Sequence, residues 1–141
     1  MFNCSLVPPD HPEASITLTY RGAMTVVERQ LGNAGSEDAW EAMKGRVLDE
    51  PEHSFTVPAR TLSSVLDEAG APEIDFLSLD VEGFEPDVLR GLDLSRHAPR
   101  WILVETDNDP PRTEGVRAAL GDRYAEVDPV TPIDLLLRRI D

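Results

Sequence analysis

The feature that most constrains the fold is a regular alternation of helical and strand-like segments in the second half of the chain. Thr61 is a suitable N-cap for a helix that ends at Gly70, and Pro86 suits the first turn of a second helix. After the Pro-rich loop 109–111, Thr113 is expected to cap a third helix. Helices of this kind need apolar strands between them if they are to share one core.

Apolar runs between the helices predict those strands. Residues 74–79 and 101–104 are short, mostly apolar and bounded by turn or acidic residues, which is typical of buried strands. Residues 124–130 and 133–140 are expected to pair as an antiparallel hairpin. The pattern predicts an α/β fold, with a parallel sheet that helices cover and an antiparallel hairpin at its C-terminal end.

The first half of the chain is predicted to be less regular. Residues 15–20 alternate between apolar and polar side chains, as a half-buried strand does, and residues 24–31 fit either a strand or a short helix. Residues 36–45 predict a short helix, and residues 55–57 predict a short strand that Pro58 stops.

Charge and hydropathy limit the classes of partner. The 141 residues include 27 Asp and Glu against 13 Lys and Arg, a net charge of −14. We therefore expect neither nucleic acid nor an anionic membrane as a partner, because phosphate contacts need clustered Lys and Arg. Neither a membrane-spanning run nor a signal peptide is evident. The lone Cys4 forms no internal disulfide, and the expected compartment is the reducing cytoplasm.

Acidic residues follow both buried strands. Asp80 and Glu82 come after the first strand, and Glu105 and Asp107 come after the second. In an open α/β sheet, ligands bind beyond the carboxyl ends of the strands, and neighbouring strands lie about 4.8 Å apart. Carboxylates that converge there raise each other's pKa. They accept a hydroxyl proton, hold a divalent ion or bind sugar hydroxyls.

A purely structural interpretation of acidic residues is also open. Acids after strands form turns and cap helices, and Glu85 and Asp87 are expected to interact only with the dipole of the second helix. His11, His53 and His97 lie far apart along the chain, so no zinc site is expected.

A family resemblance rests on an ordered set of segments. These are Thr61-Leu62, the run from Ile74 to Glu85, Val88-Leu89-Arg90-Gly91, the run from Ile102 to Glu105, and Asp134 to Arg138. In order and spacing they resemble the FkbM family of S-adenosylmethionine-dependent methyltransferases. The hallmark of that family is a strand running into Asp-Val-Glu-Gly, followed by a Glu, a Val-Leu-x-Gly helix and a later strand that ends in Glu. The resemblance covers roughly residues 55–140.

The resemblance implies a fold and an activity. The fold is a Rossmann-like class I methyltransferase sheet, and the activity is methyl transfer from S-adenosylmethionine to a hydroxyl of a small acceptor such as a natural product or a sugar. Asp80 and Glu82 would lie in the active-site crevice and Glu105 at its edge, which makes these three the predicted catalytic residues. A divalent metal ion is an optional further cofactor.

The chain also departs from the family pattern. Such enzymes hold the cofactor with a glycine-rich turn after the first strand, where glycine lets the backbone approach the ligand. The nearest run here, residues 31–36, is interpreted as a loop and an N-cap, and no cofactor-binding residue is assigned. The resemblance aligns residues 3–6 just after the family's third strand. We therefore expect residues 1–141 to be one partial domain truncated at its N-terminal side, irregular over 1–54 and recognisably α/β over 55–141.

Two alternatives to an active enzyme remain open. The first is a non-catalytic methyltransferase fragment or partner-dependent module. In either case the truncation would leave an exposed sheet edge, which a homo-oligomer is expected to cover. The second is an unrelated α/β domain whose acidic crevice holds a metal ion or a sugar.

Overall fold

The computed structural model describes residues 2–21, 24–27, 53–71, 73–127 and 131–140. The strands of these segments are β1 (Ser5–Leu6), β2 (Ser15–Arg21), β3 (Met24–Val27), β4 (His53–Arg60), β5 (Phe76–Leu79), β6 (Trp101–Glu105), β7 (Tyr124–Val127) and β8 (Asp134–Arg139). The helices are α1 (Leu62–Ala69), α2 (Glu85–Arg90) and α3 (Pro110–Leu120). The short helix predicted over residues 36–45 lies outside the described residues.

The N-terminal strands form a four-stranded sheet in the order β1-β4-β2-β3. β1 runs parallel to β4, whereas β2 is antiparallel to both β4 and β3. Ile16 lies opposite Val57, and both pack with Val7 in a small buried cluster. The described part of residues 1–54 is therefore more regular than the sequence predicted.

Pro58 does not end β4, which corrects the strand predicted over residues 55–57. The strand continues to Arg60. The amide of Ala59 donates to Ala14 on the β2 side, so the position of Pro58 faces the β1 side, and β1 pairs only from Ala59 onward. The N–H that proline lacks is therefore not needed by the sheet.

The C-terminal strands form a second mixed sheet in the order β5-β6-β8-β7. β5 and β6 are parallel, and β8 lies between β6 and β7, antiparallel to both. The predicted alternation of helices and strands and the closing antiparallel hairpin are confirmed. The described chain is thus a mixed α/β structure with two small mixed sheets, in place of the single truncated sheet that was expected.

One face of the C-terminal sheet packs against the helices. Its buried residues are Leu79, Ile102, Val104 and Leu137, and the helical side contributes Leu62, Val88, Leu89, Leu92, Val116 and Leu120. Full burial of each such side chain is worth about 1.5–3 kcal/mol.

The third helix begins earlier than predicted. Pro110 and Pro111 form its first turn, with Asp109 as the N-cap, rather than a loop. Proline is tolerated there because the first helical N–H groups have no partner within the helix. Thr113 lies inside the helix, where its hydroxyl donates to the carbonyl of Asp109 at 3.0 Å.

The opposite face of the C-terminal sheet is only partly covered. Phe76 is 54% exposed, and Trp101, Leu103 and Leu136 are half-buried. In the described part of the chain, β5 lies at an edge of its sheet. The buried strand predicted over residues 74–79 is confirmed for Leu79 and the half-buried Leu77, which pack against the core, but is wrong for the exposed Phe76 and Ser78. No helix in the segments that the structure covers is long and apolar enough to cross a membrane.

The contact between α2 and α3 offers a test of the packing beneath this sheet. A Cβ added at Gly115 would lie 2.9 Å from Cγ of Pro86. We expect Gly115→Ala to lower the free energy of unfolding in urea by about 1–2 kcal/mol, despite the better helix propensity of Ala. The double variant with Pro86→Ala removes the opposing ring and should recover most of the loss. Equal stability of wild type and Gly115→Ala would contradict this contact.

Candidate active site

The register of β5 and β6 brings two predicted site residues together. Leu79 lies opposite Val104, so the next residues along each strand, Asp80 and Glu105, are also neighbours. Side chains alternate between the two faces of a sheet. Leu79 and Val104 point into the helix-covered core, and the two carboxyl groups therefore project to the other side. They approach closely enough to share a hydrogen bond.

Glu105 has a strongly perturbed acidity. The hydrogen bond with Asp80 raises the pKa of Glu105 to about 7, and partial burial and the charges of Asp80, Asp107 and Glu82 act in the same direction. Two carboxyl groups this close cannot both ionise readily, so Glu105 keeps its proton to a higher pH than an ordinary glutamate does. A group of this kind is suited to taking up a proton.

Glu82 lies in a tight turn after β5. Its φ is 55° and that of the following Gly83 is 99°, both in the left-handed region. Burial is the main cause that raises the pKa of Glu82. The negative charges of Asp80, Asp107 and Glu85 raise it further, whereas the positive charge of Arg112 lowers it. The structure thus places Glu82 beside the Asp80–Glu105 pair.

A matching turn follows β6. Asp107 and Asn108 have φ values of 51° and 56°, and the amide of Thr106 donates to the carbonyl of Ile133 at 2.8 Å. Non-glycine residues adopt such values rarely, and they cluster at functional sites. We call Asp80, Glu82, Glu105 and Asp107 the acidic rim.

The structure corrects the prediction for the role of Glu85. It was expected to act only on the helix dipole, but its side chain is fully buried. Its Oε1 accepts the amide protons of Val81 and Gly83, each at 3.0 Å. The signal for this role was present in the sequence as a Glu two residues after the glycine of Asp-Val-Glu-Gly.

Arg112 and Asp134 were not predicted as site residues. Nη1 of Arg112 donates to Asp107 at 2.9 Å, and its Nε lies 3.7 Å from Oε2 of Glu85. Asp134 lies opposite Glu105 on β8, and it accepts a 2.6 Å hydrogen bond from the hydroxyl of Thr131. Arg112 has no local sequence signal, because it reaches the site only through the tertiary arrangement. Asp134 begins the last segment of the family resemblance, but nothing in that segment indicates a position beside Glu105.

The chemistry of the rim is that of hydrogen-bond acceptors and proton acceptors. Among residues 2–21, 24–27, 53–71, 73–127 and 131–140, no group of three or more His, Cys, Asp or Glu side chains is arranged to hold a metal ion. His11, His53 and His97 lie on separate elements, and the last is 2.8 Å from a carboxylate oxygen of Asp67.

Comparison with known proteins gives one match. The family model of the methyltransferase FkbM domain matches residues 14–127, from β2 to the end of β7. This range includes the whole acidic rim and starts earlier than the resemblance found in the sequence. Neither the curated proteins nor the solved structures contain a significant match.

The acidity of Glu105 predicts how stability depends on pH. A carboxyl group whose pKa is raised to about 7 in the folded chain stabilises the fold below its unfolded pKa. That contribution is lost as pH rises from about 4.5 to 7. Glu105→Gln cannot ionise, so its stability relative to wild type should increase by about 1–2 kcal/mol between pH 5 and pH 8, less than the full shift implies because Glu105 is only half-buried.

Urea unfolding at both pH values measures this difference. Glu73→Gln, at an exposed position away from the rim, is the control and should show no such change. A pH-independent difference between wild type and Glu105→Gln would show that Glu105 ionises normally.

Proposed function

The chain belongs to the FkbM methyltransferase family, and on this premise we propose that it transfers a methyl group from S-adenosylmethionine to a hydroxyl of a small acceptor. Residues 55–141 would be the C-terminal part of a Rossmann-like class I methyltransferase sheet. The parallel pair β5–β6 and the helices that follow each of these strands support this assignment.

The observation that carries the proposal is the register of β5 and β6, which brings the carboxyl groups of Asp80 and Glu105 together at the ends of two parallel strands. Methyl transfer to a neutral hydroxyl must dispose of the hydroxyl proton, and a base that titrates near the working pH does so best. The raised pKa of Glu105 places this pair in that range. Glu105 is half-buried and Asp80 is exposed, and the carboxyl ends of two neighbouring strands, where both lie, are where α/β folds bind their ligands.

The steps assigned to the chain are orientation and proton removal. An acceptor hydroxyl donates a hydrogen bond to the ionised Asp80–Glu105 pair, and Glu82 orients a second acceptor hydroxyl. As the new carbon–oxygen bond formed, the bond between the methyl carbon and the cofactor's sulfur would break with its electron pair going to sulfur, which leaves a neutral thioether. The hydroxyl proton would pass to the pair, so that the methylated product leaves neutral. Fixing these groups in advance lowers the entropic part of the barrier.

The described residues fit the cofactor in part. Bound S-adenosylmethionine would supply an electrophilic methyl group on a positively charged sulfur, and the negative charge of the rim favours a sulfonium nearby without contacting it. The backbone at Gly83 leaves no free space for a ligand to approach, because Nη2 of Arg112 lies 3.2 Å from the position that a Cβ would occupy. We therefore assign Asp80, Glu82 and Glu105 to the acceptor side and no residue of the described chain to cofactor binding.

The first test is the turnover of Asp80→Asn in the full chain. The substitution removes one member of the proton-accepting pair, and we expect turnover of a hydroxylated acceptor to fall about 10²-fold or more. In wild type the rate should rise with pH through an apparent pKa of about 7, set by the pair that contains Glu105. Asp122→Asn, at an exposed acid of the turn before β7, is the matched control.

Calorimetric titration with S-adenosylmethionine separates binding from chemistry. Micromolar affinity for the wild-type chain supports an enzyme. An affinity that is undetectable at millimolar ligand contradicts the catalytic proposal and favours the second candidate, a partner-dependent module. Unchanged turnover in Asp80→Asn would remove the assigned base.

The second candidate is favoured by the partly covered face of the C-terminal sheet. Parallel strands normally have both faces covered, yet Phe76 is 54% exposed and β5 has no neighbour on one side in the described part of the chain. A second copy of this chain would cover that face and edge.

Light scattering after size exclusion tests association through this face. Under the second candidate, wild type has the mass of a dimer and Phe76→Lys that of a monomer, because a buried lysine opposes association. Phe2→Lys, at another exposed phenylalanine, is the control. A monomeric wild type would count against the homo-oligomer.

A further inference from the structure

Glu85 is the one acidic side chain with no exposed surface among the described residues. A carboxylate that leaves water is costly unless hydrogen bonds and an opposite charge compensate for the lost hydration. One of its oxygens, Oε1, accepts two amide protons. The other, Oε2, has no hydrogen-bond partner in the described chain and faces Nε of Arg112 at 3.7 Å. Burial of Glu85 therefore depends on both the turn and Arg112.

The two amides that Glu85 binds belong to the turn that carries Glu82. Val81 and Gly83 flank Glu82, and the left-handed φ of 55° at Glu82 is a conformation that costs free energy for a residue with a Cβ. Acceptance of both amides by one oxygen holds the turn closed. Glu85 thus fixes the direction in which the side chain of Glu82 leaves the backbone.

Arg112 extends this arrangement to the second turn. Its guanidinium lies against Gly83, where an added Cβ would come within 3.2 Å of Nη2, and its Nη1 donates to Asp107 at 2.9 Å. The side chain is 19% exposed. One planar cation therefore contacts the turn after β5 on one side and the turn after β6 on the other, which suits the fork geometry of arginine.

We propose that Glu85 and Arg112 are positioning residues that hold the two acidic turns at a fixed separation, so that Glu82 and Asp107 stay beside the Asp80–Glu105 pair. We call Glu85 and Arg112 together the clamp. Because the carboxylates of the two turns repel each other, the turns would move apart without it. The proposal rests on the proposed function only where it takes the acidic rim as the active site. The clamp itself is measurable without cofactor or acceptor.

Arg112→Lys is the first test, because it keeps the positive charge and removes the planar guanidinium group that contacts both turns. The hydrogen bond with Asp80 raises the pKa of Glu105 to about 7, and NMR of the side-chain carboxyl carbon can follow this titration. We expect this pKa to fall by about 0.5 or more in the variant, since the neighbouring carboxylates move away. Arg117→Lys, on the same helix and paired with Glu126, is the matched control and should leave this pKa unchanged.

The outcomes of this titration separate positioning from charge. If Arg112 acted as a charge alone, Lys would preserve the pKa of Glu105, and that result would overturn the clamp. A fall in Arg112→Lys with none in Arg117→Lys supports it. Failure of wild type to bind S-adenosylmethionine would count against the proposed function and leave this result intact.

Glu85→Asp is the second test and addresses the other half of the clamp. The shorter side chain keeps its charge but cannot reach both amides, so amide hydrogen exchange at Val81 and Gly83 should become about tenfold faster. Asp87→Glu, two positions along the same helix, is the matched control. Exchange at wild-type rates in Glu85→Asp would show that Glu85 does not hold the turn.

Discussion

The parallel pairing of β5 with β6 is the interaction on which the core and the candidate site both depend. With Leu79 opposite Val104, the two apolar side chains enter the helix-covered core, where Val104 has no exposed surface. The same register sets Asp80 beside Glu105 on the other side. A shift by one residue would bury the acids and expose the apolar pair, so hydrophobic burial also enforces the meeting of the carboxyl groups.

The fold could be predicted from the sequence where the signal was local. Caps, apolar periodicity and turn residues located α1, α2 and the closing hairpin, because each depends on neighbours along the chain. The predictions at Pro58 and at the proline pair 110–111 were wrong, because proline is excluded from a strand or helix only where its missing N–H would be needed. Whether it is needed depends on which strand lies alongside, and sequence pattern alone does not contain that.

The candidate site could likewise be predicted only in part. Asp80 and Glu105 could be inferred as neighbours because each follows a strand of the same sheet. The roles of Glu85 and Arg112 could not, since an acid at a helix start has an ordinary explanation and Arg112 has no motif. Their contacts arise only after α2 and α3 have packed on the sheet, where Gly115 allows the close approach of Pro86.

The acidic rim also ties the chemistry to the stability of the fold. A proton on the Asp80–Glu105 pair relieves repulsion and favours the folded chain, whereas proton removal from a hydroxyl requires the same pair to be ionised. These demands oppose each other around pH 7, the value near which Glu105 titrates. The apolar core beneath the strands supplies the favourable free energy that lets the fold retain such a rim. The same core offsets the cost of the left-handed turns at Glu82 and Asp107, so strain and charge are concentrated together at the candidate site.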